Sequence, residues 1–174
     1  MANPIDPADV FTLDPHVTLT ADERTQLTAF LDAHRRLLNQ CLDGLTEEEA
    51  RRRLVPSRTT LLGLVKHVTY VERVWFGEAV TGVSRVRMGL PAKVDDSYLF
   101  DDTDTIAAVR EAHRAACASS VAALADLDLD AVVTGHRLGP MAVRWILHHV
   151  LRELAHHCGH ADILREQIIA ARSS

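Results

Sequence analysis

The sequence predicts an all-α protein, a four-helix bundle, on three observations. Four long stretches carry apolar residues at helical spacing, two of the joints between them are short, and one long aperiodic segment separates the second stretch from the third. The 174 residues suit a single domain spanning 1–174, able to bury a core without disulfides. No internal repeat or low-complexity segment interrupts it.

Residues 1–19 contain Pro4, Pro7 and Pro15 and read as an irregular arm, with Phe11 and Leu13 available to pin it to the body. Thr20 and Glu23 have capping-box spacing ahead of Leu27, Phe30, Leu31, His34, Leu37, Leu38, Cys41 and Leu42, which keep a helical period until Gly44. Thr46 and Glu49 repeat that signal before one or two turns that Pro56 ends. Arg51, Arg52 and Arg53 at the end of this short helix are read as a solvated face suited to its dipole rather than as an anion site. Thr59 or Thr60 caps the next helix, Leu61 to Phe76, whose core face holds Leu61, Leu64, Val65, Val68, Val71 and Trp75, with His67 on its edge.

Residues 81–105 gather glycine, proline and aspartate, and a loop of that length in a compact domain is commonly functional or mobile. Tyr98, Leu99 and Phe100 within it either close over a pocket or, the commoner use, anchor the loop. Thr103 or Asp104 caps a third helix carrying Ile106, Val109, Ala112, His113, Ala116, Cys117, Ser120, Val121 and Leu124. Asp126, Asp128 and Asp130 end it; they lack the glycine and terminal glutamate of a calcium loop and read as a solvated turn. Gly139 and Pro140 supply an N-cap and a first-turn proline for the last helix, running to about Ala171.

The net charge of −5, with basic residues scattered, leaves no electrostatic footprint for nucleic acid. Neither a signal peptide nor a membrane-length apolar run is present, so the expected location is cytoplasmic. Cys41, Cys117 and Cys158, odd in number and unpatterned, read as small half-buried residues of a reduced protein.

Chemistry concentrates on the last helix, where five of the ten histidines lie between Arg144 and Glu166. At about 100° per residue, Ile146, Leu147, Val150, Leu154, Leu164 and Ile168 fall on one core arc, and His149, Glu153, His157 and His160 form a stripe along its edge. His148 and His156 point elsewhere. Spacing leaves two readings of the stripe. One is a divalent metal held by residues of Glu153-x-x-x-His157-x-x-His160 with a group such as His67 from another helix; the other is a hydrogen-bonded polar rim. Two imidazoles and a carboxylate with an open position is the pattern of catalytic zinc, although nickel, cobalt and iron(II) accept the same set. His16, His34, His113 and His136 are isolated and read as surface or hydrogen-bonded residues.

Two blocks, Pro56-Ser-Arg-Thr-Thr-Leu-Leu-Gly-Leu-Val-Lys-His67 with the segment to Phe76, and Glu153-Leu-Ala-His-His157-Cys-Gly-His160 with the segment to Glu166, resemble the signature blocks of the DinB-like (DinB/YfiT) metalloenzymes. The resemblance implies the four-helix fold and a metal held by His67, Glu153 and His157. Many relatives carry histidine where this chain has Glu153; a glutamate there resembles the mycothiol-dependent maleylpyruvate isomerase branch, whose metal site is similar to a His, Glu, His set. His160, where many carry glutamine, is the alternative ligand or a neighbour of the site, and His149 is placed to orient Glu153 or simply to pack.

The family's characterised members imply a zinc- or nickel-dependent S-transferase that takes mycothiol or a similar low-molecular-weight thiol and an electrophilic substrate, often as a homodimer. A metal-bound thiol is deprotonated and nucleophilic at neutral pH, which makes that chemistry sound. A hydrolase using metal-bound water, or a non-catalytic stress-response or ligand-binding bundle, remains the alternative. Arg58, Arg73 and Arg144 are candidates for an anionic thiol or substrate, against the commoner use of arginine in ion pairs.

Overall fold

A computed structural model describes residues 13–173, so Phe11, Pro4 and Pro7 of the expected arm lie outside the described residues. The remainder of that arm is not wholly irregular. Pro15–Val17 form a 3-10 turn, capped by the Asp14 carboxylate, which accepts from the His16 amide.

Helix α1 covers Glu23–Gln40, and α2 covers Glu47–Arg51. The expected Thr46/Glu49 capping box is present on α2, each side chain bonding the other's backbone amide. On α1 the cap is Asp22 rather than Thr20: its carboxylate takes both the amide and the hydroxyl of Thr25. Thr60 caps α3, Leu61–Glu72, by accepting from the Gly63 amide.

Helix α3 continues without a break into a π-helical turn, Arg73–Glu78, and a last turn, α4, Ala79–Thr81. The Ala79 amide bonds the carbonyl of Val74, five residues back, so the chain falls behind the α register here. Expected core positions shift accordingly. Phe76 is wholly buried, while Trp75, which a continuous α-helix would place on the core face, is only partly so. Gly82 ends the run in the left-handed conformation, φ 74°.

The segment 82–105 is a loop, as expected, except for a 3-10 turn at Val94–Tyr98. Helix α5, Ile106–Leu124, is capped by Thr105 rather than Thr103 or Asp104. Asp104 is engaged instead by the Asp101 amide and the Lys66 ammonium.

The start of the last helix also departs from expectation. Gly139 and Pro140 belong to the turn of a two-stranded antiparallel ribbon, β1 (Val132–Val133) and β2 (Met141–Ala142), and α6 runs from Val143 to Ala170. Its N-cap, Ala142, has no side-chain acceptor. The carbonyls of Ala131 and Leu129 take the first amides, those of Val143 and Arg144, so a backbone return replaces the cap. Gly135 makes that return possible: its amide bonds the Ala79 carbonyl, and a Cβ there would sit 2.2 Å from the Glu78 carbonyl oxygen.

The protein is therefore mostly helical, with one small ribbon. α1 packs along α6, α3 lies against both α5 and α6, and α5 also touches α1. The predicted arc of α6 is buried in full. On α1 the apolar face is narrower than its sequence suggests, because Phe30 and Leu37 are exposed. None of the helices among the described residues is long and apolar enough to cross a membrane.

A polar cluster ties three of these helices inside the core. Arg35 of α1 donates from Nε and Nη2 to the two carboxylate oxygens of Glu72 at 2.8 Å each, and from Nη1 to Asp32 at 3.0 Å. Burial alone would push the Arg35 pKa down, but the Glu72 carboxylate outweighs it and keeps the guanidinium charged. Asn39 links α1 to α5 by donating to the Arg110 carbonyl and lying 3.3 Å from His113 Nδ1. Burial holds His113 neutral, with its pKa down at about 4.

Removing one member of a buried pair leaves a charge without its partner, so Glu72→Ala is expected to lose about 3–5 kcal/mol in urea denaturation. Arg58, whose pair with Asp96 is exposed, should lose at most about 1 kcal/mol as Arg58→Ala. Equal losses for the two variants would remove the buried cluster from its structural role.

Candidate metal centre

Helices α3 and α6 meet so that His67 comes from one while Glu153 and His157, one turn apart, come from the other. One nitrogen or carboxylate oxygen from each of the three lies within 4.8 Å of the others. Glu153 Oε2 is 3.8 Å from His157 Nε2, and the rings of His67 and His157 meet edge to face at 4.7 Å. Both imidazoles are buried, and Glu153 is partly exposed.

The long loop holds His67 in place. Its Nδ1 lies 2.8 Å from the Ser97 hydroxyl oxygen, and the Ser97 hydroxyl lies 2.5 Å from the Val94 carbonyl. A carbonyl only accepts, so the Ser97 proton is committed to Val94 and its oxygen must accept from His67. That fixes the proton on Nδ1 and leaves the Nε2 lone pair free, the arrangement a histidine ligand needs. Tyr98 stacks on the same imidazole, with centroids 4.2 Å apart and planes 9° from parallel. Of the two uses expected of this segment, Tyr98 therefore anchors. Phe100 packs against the core under the Arg51 guanidinium, and Leu99 stays exposed.

Burial lowers the His67 pKa to about 3, with His157 adding to the effect. His157 is lowered too, chiefly by burial and against the pull of Glu153. Both rings are thus neutral at neutral pH, with a lone pair on each. His157 Nδ1 is buried and finds no hydrogen-bond partner among the described residues. Two neutral imidazoles and a carboxylate whose donor atoms converge within 4.8 Å fit a divalent cation, and His157 would face it with Nε2, the nitrogen on the Glu153 side, rather than with the buried Nδ1.

The two oxygens of Glu153 face different ways. Oε2 is on the His157 side, whereas Oε1 takes Arg152 Nη2 at 2.5 Å and lies 3.8 Å from His149 Nε2. His149 is itself packed between Trp75 (4.2 Å) and Trp145 (5.0 Å). His160 stands apart from the three-residue cluster: it is exposed, its ring 5.6 Å from that of His157, beside a cleft lined by Val55, Ile163 and Leu164. His148 bonds the Arg144 carbonyl at the surface, and His156 is exposed, as expected.

The three arginines considered for anions are already engaged. Arg58 pairs with Asp96, Arg73 donates to the Met88 carbonyl, and Arg144 holds Asp130 and Glu23. The cysteines are more deeply buried than expected, and burial pushes the thiols of Cys41 and Cys158 up to about 12, which removes them as nucleophiles.

Sequence reasoning does not reach Ser97 or Arg85, and it reads His136 as surface or hydrogen-bonded. His136 is hydrogen-bonded, to Arg85 and the Leu138 amide, but its place beside Trp75 is not foretold. Arg85, inside the loop, donates to the Tyr70 hydroxyl at 2.6 Å and pairs with Glu78, while His136 stacks on Trp75 at 4.6 Å. A lone serine or arginine in an aperiodic segment carries no spacing signal. His136 is legible only once Gly135 is known to dock on α4.

The tautomer of His67 is a testable consequence. Nitrogen-detected NMR of the metal-free protein at pH 7 should show His67 protonated at Nδ1, and Ser97→Ala should release it to a tautomer mixture. A proton on Nε2 in the unsubstituted protein would contradict the bonding pattern.

No curated protein matches the chain. A family model described as Mycothiol-S-transferase matches residues 26–170, from the first turn of α1 to the last residue of α6. That match takes in both helices that meet at His67 and His157 and covers most of the sequence, and so the chain belongs to the mycothiol-S-transferase family, within the DinB-like group.

Proposed function

We propose that this chain is a divalent-metal-dependent S-transferase, a single DinB-like four-helix-bundle domain that binds zinc or nickel through His67, Glu153 and His157 and uses a mycothiol-type thiol. The observation that carries the reading is the convergence of two neutral imidazoles and a carboxylate, with one donor atom of each within 4.8 Å of the others. Family membership supplies the thiol and the transfer.

When bound, the ion supplies a Lewis acid that holds a thiol as thiolate at neutral pH. The protein's own part is positional. Ser97 keeps the His67 proton away from the site and Tyr98 fixes the ring plane, so His67 enters the site with one defined lone pair. Arg152 bonds the far oxygen of Glu153, with His149 3.8 Å away on that side, and Oε2 is left to the site. Burial lowers the pKa of both imidazoles, that of His67 to about 3, so protons do not compete for their nitrogens at neutral pH. No cysteine is available as an alternative nucleophile, which leaves the sulfur to be brought by a co-substrate.

Two measurements test the reading. Elemental analysis should find close to one divalent ion per chain, lost in His67→Ala and His157→Ala, with Glu153→Ala weakening affinity by roughly tenfold or more and His160→Ala leaving it largely intact. A larger loss for His160→Ala than for Glu153→Ala would move the third ligand.

In the cobalt-substituted protein, mycothiol should produce thiolate-to-metal absorption, and transfer of the thiol to an electrophile should disappear with the metal. An unperturbed cobalt spectrum together with ester or amide hydrolysis would assign the site to water activation instead.

A further inference from the structure

Helices α3 and α5 border a groove distinct from the α3–α6 seam that carries the metal ligands. Two clefts of about 530 Å³ each lie between these helices, and Thr69, Arg73 and Ala112 line both, so the two run together. Each has the volume of a small-molecule site. Their walls differ in character. Lys66, Tyr70 and Ser97 stand at one end, whereas past Arg73 the walls are Phe76, Gly77, Met88, Ala115 and Ala116.

The apolar half has a definite length. Ala112 and Ala123 both line it, and at about 1.5 Å per residue they stand roughly 16 Å apart along α5. Met88, from the long loop, lies over Gly77, its sulfur 3.3 Å from where a Cβ on that residue would stand. An unbranched, polarizable side chain adapts readily to whatever packs beneath it.

Charge decides what the groove takes. Of the charged residues lining it, Lys66 pairs with Asp104, Asp96 pairs with Arg58, and Glu72 gives both oxygens to Arg35. Arg73 is the exception. Its Nη2 donates to the Met88 carbonyl, a neutral acceptor, and no carboxylate among the described residues offsets its charge. The cation therefore stands at the junction of the two clefts, at the head of the apolar trough.

We propose that this groove binds an amphiphilic carboxylate, an unbranched fatty acid of about ten carbons, with its head on Arg73 and its chain along α5 towards Ala123. Each half of such a molecule meets its complement. The guanidinium presents a planar fork of donors that matches a carboxylate, and the chain leaves water against Phe76, Met88 and the α5 alanines. A neutral head would leave the Arg73 charge without a counter-ion, and a cationic head would be repelled. Binding here uses neither the metal nor the thiol, so it stands or falls apart from the S-transferase reading.

The test is calorimetric titration of the full chain, with and without metal, using decanoate below its micellar concentration at pH 8. Saturable binding of one decanoate per chain is expected in both forms. Arg73→Ala should weaken it roughly tenfold or more, and Arg73→Lys should keep most of the affinity. Ala115→Phe, at an exposed position of α5, should fill the trough and abolish binding while Arg73 remains in place. Decyltrimethylammonium, with the same chain and the opposite charge, should not saturate. Linear heats with decanoate, equal affinity for decyltrimethylammonium, or unchanged affinity in Arg73→Ala overturns the proposal. Absence of decanoate binding together with a dimer in sedimentation that Ala115→Phe dissociates would assign the groove to a second copy of the chain instead.

Discussion

Antiparallel contact between α3 and α6 is the constraint on which the arrangement rests. His67 meets His157, and eight residues further along one helix Trp75 meets His149, eight residues back along the other. At about 1.5 Å per residue, this places the aromatic cluster some 12 Å from the paired histidines and on the same seam. Neither helix could slide or rotate without breaking both meetings. The seam is held from outside by groups that never enter it: α1 bonds α3 through Arg35 and Glu72 and bonds α5 through Asn39, and the β1–β2 return fixes the first turn of α6.

Buried polarity is used in two ways in this molecule. Around Arg35 every charge has a partner, and the cluster orients three helices. At the His67 site the neutral imidazoles are left short of partners: one nitrogen of His67 is freed by the Ser97 bond, and one nitrogen of His157 is buried with nothing to bond. The first pattern satisfies itself, whereas the second is stable only to the extent that the surrounding core tolerates it. Tyr98 and the apolar neighbours of α3 and α6 supply that tolerance.

The part of this that is legible in sequence is the part written in helical periodicity. The α6 core arc, the Glu153/His157 pair and the edge position of His67 follow from residues three and four apart, because α6 and the first three turns of α3 are regular. Periodicity fails where the helix does. One π turn moves Trp75 off the core face and Phe76 onto it, and no residue between Arg73 and Glu78 announces the change. Caps are lost for a similar reason: Thr20, Thr103 and Gly139 carry the right chemistry, but Asp22, Thr105 and a returning backbone reach the amides instead. Ser97 is invisible because its role depends on where a long loop comes to rest.

The π turn also divides the continuous run from α3 to α4 into two heritable compartments. His67 lies upstream of it and Trp75 lies within it, so loss of a single codon between Arg73 and Glu78 would return the segment to α-helical register without moving the metal-facing histidine. Where the residue is lost decides the outcome: a loss after Phe76 would return Trp75 to the core face, whereas a loss before Trp75 would leave Phe76 there, so the mouth of the site can be redrawn or kept in one genetic step. Substitutions would have to change several side chains to do the same. Lineages that share the histidine seam can therefore diverge in what they admit through an indel, with the seam itself left intact.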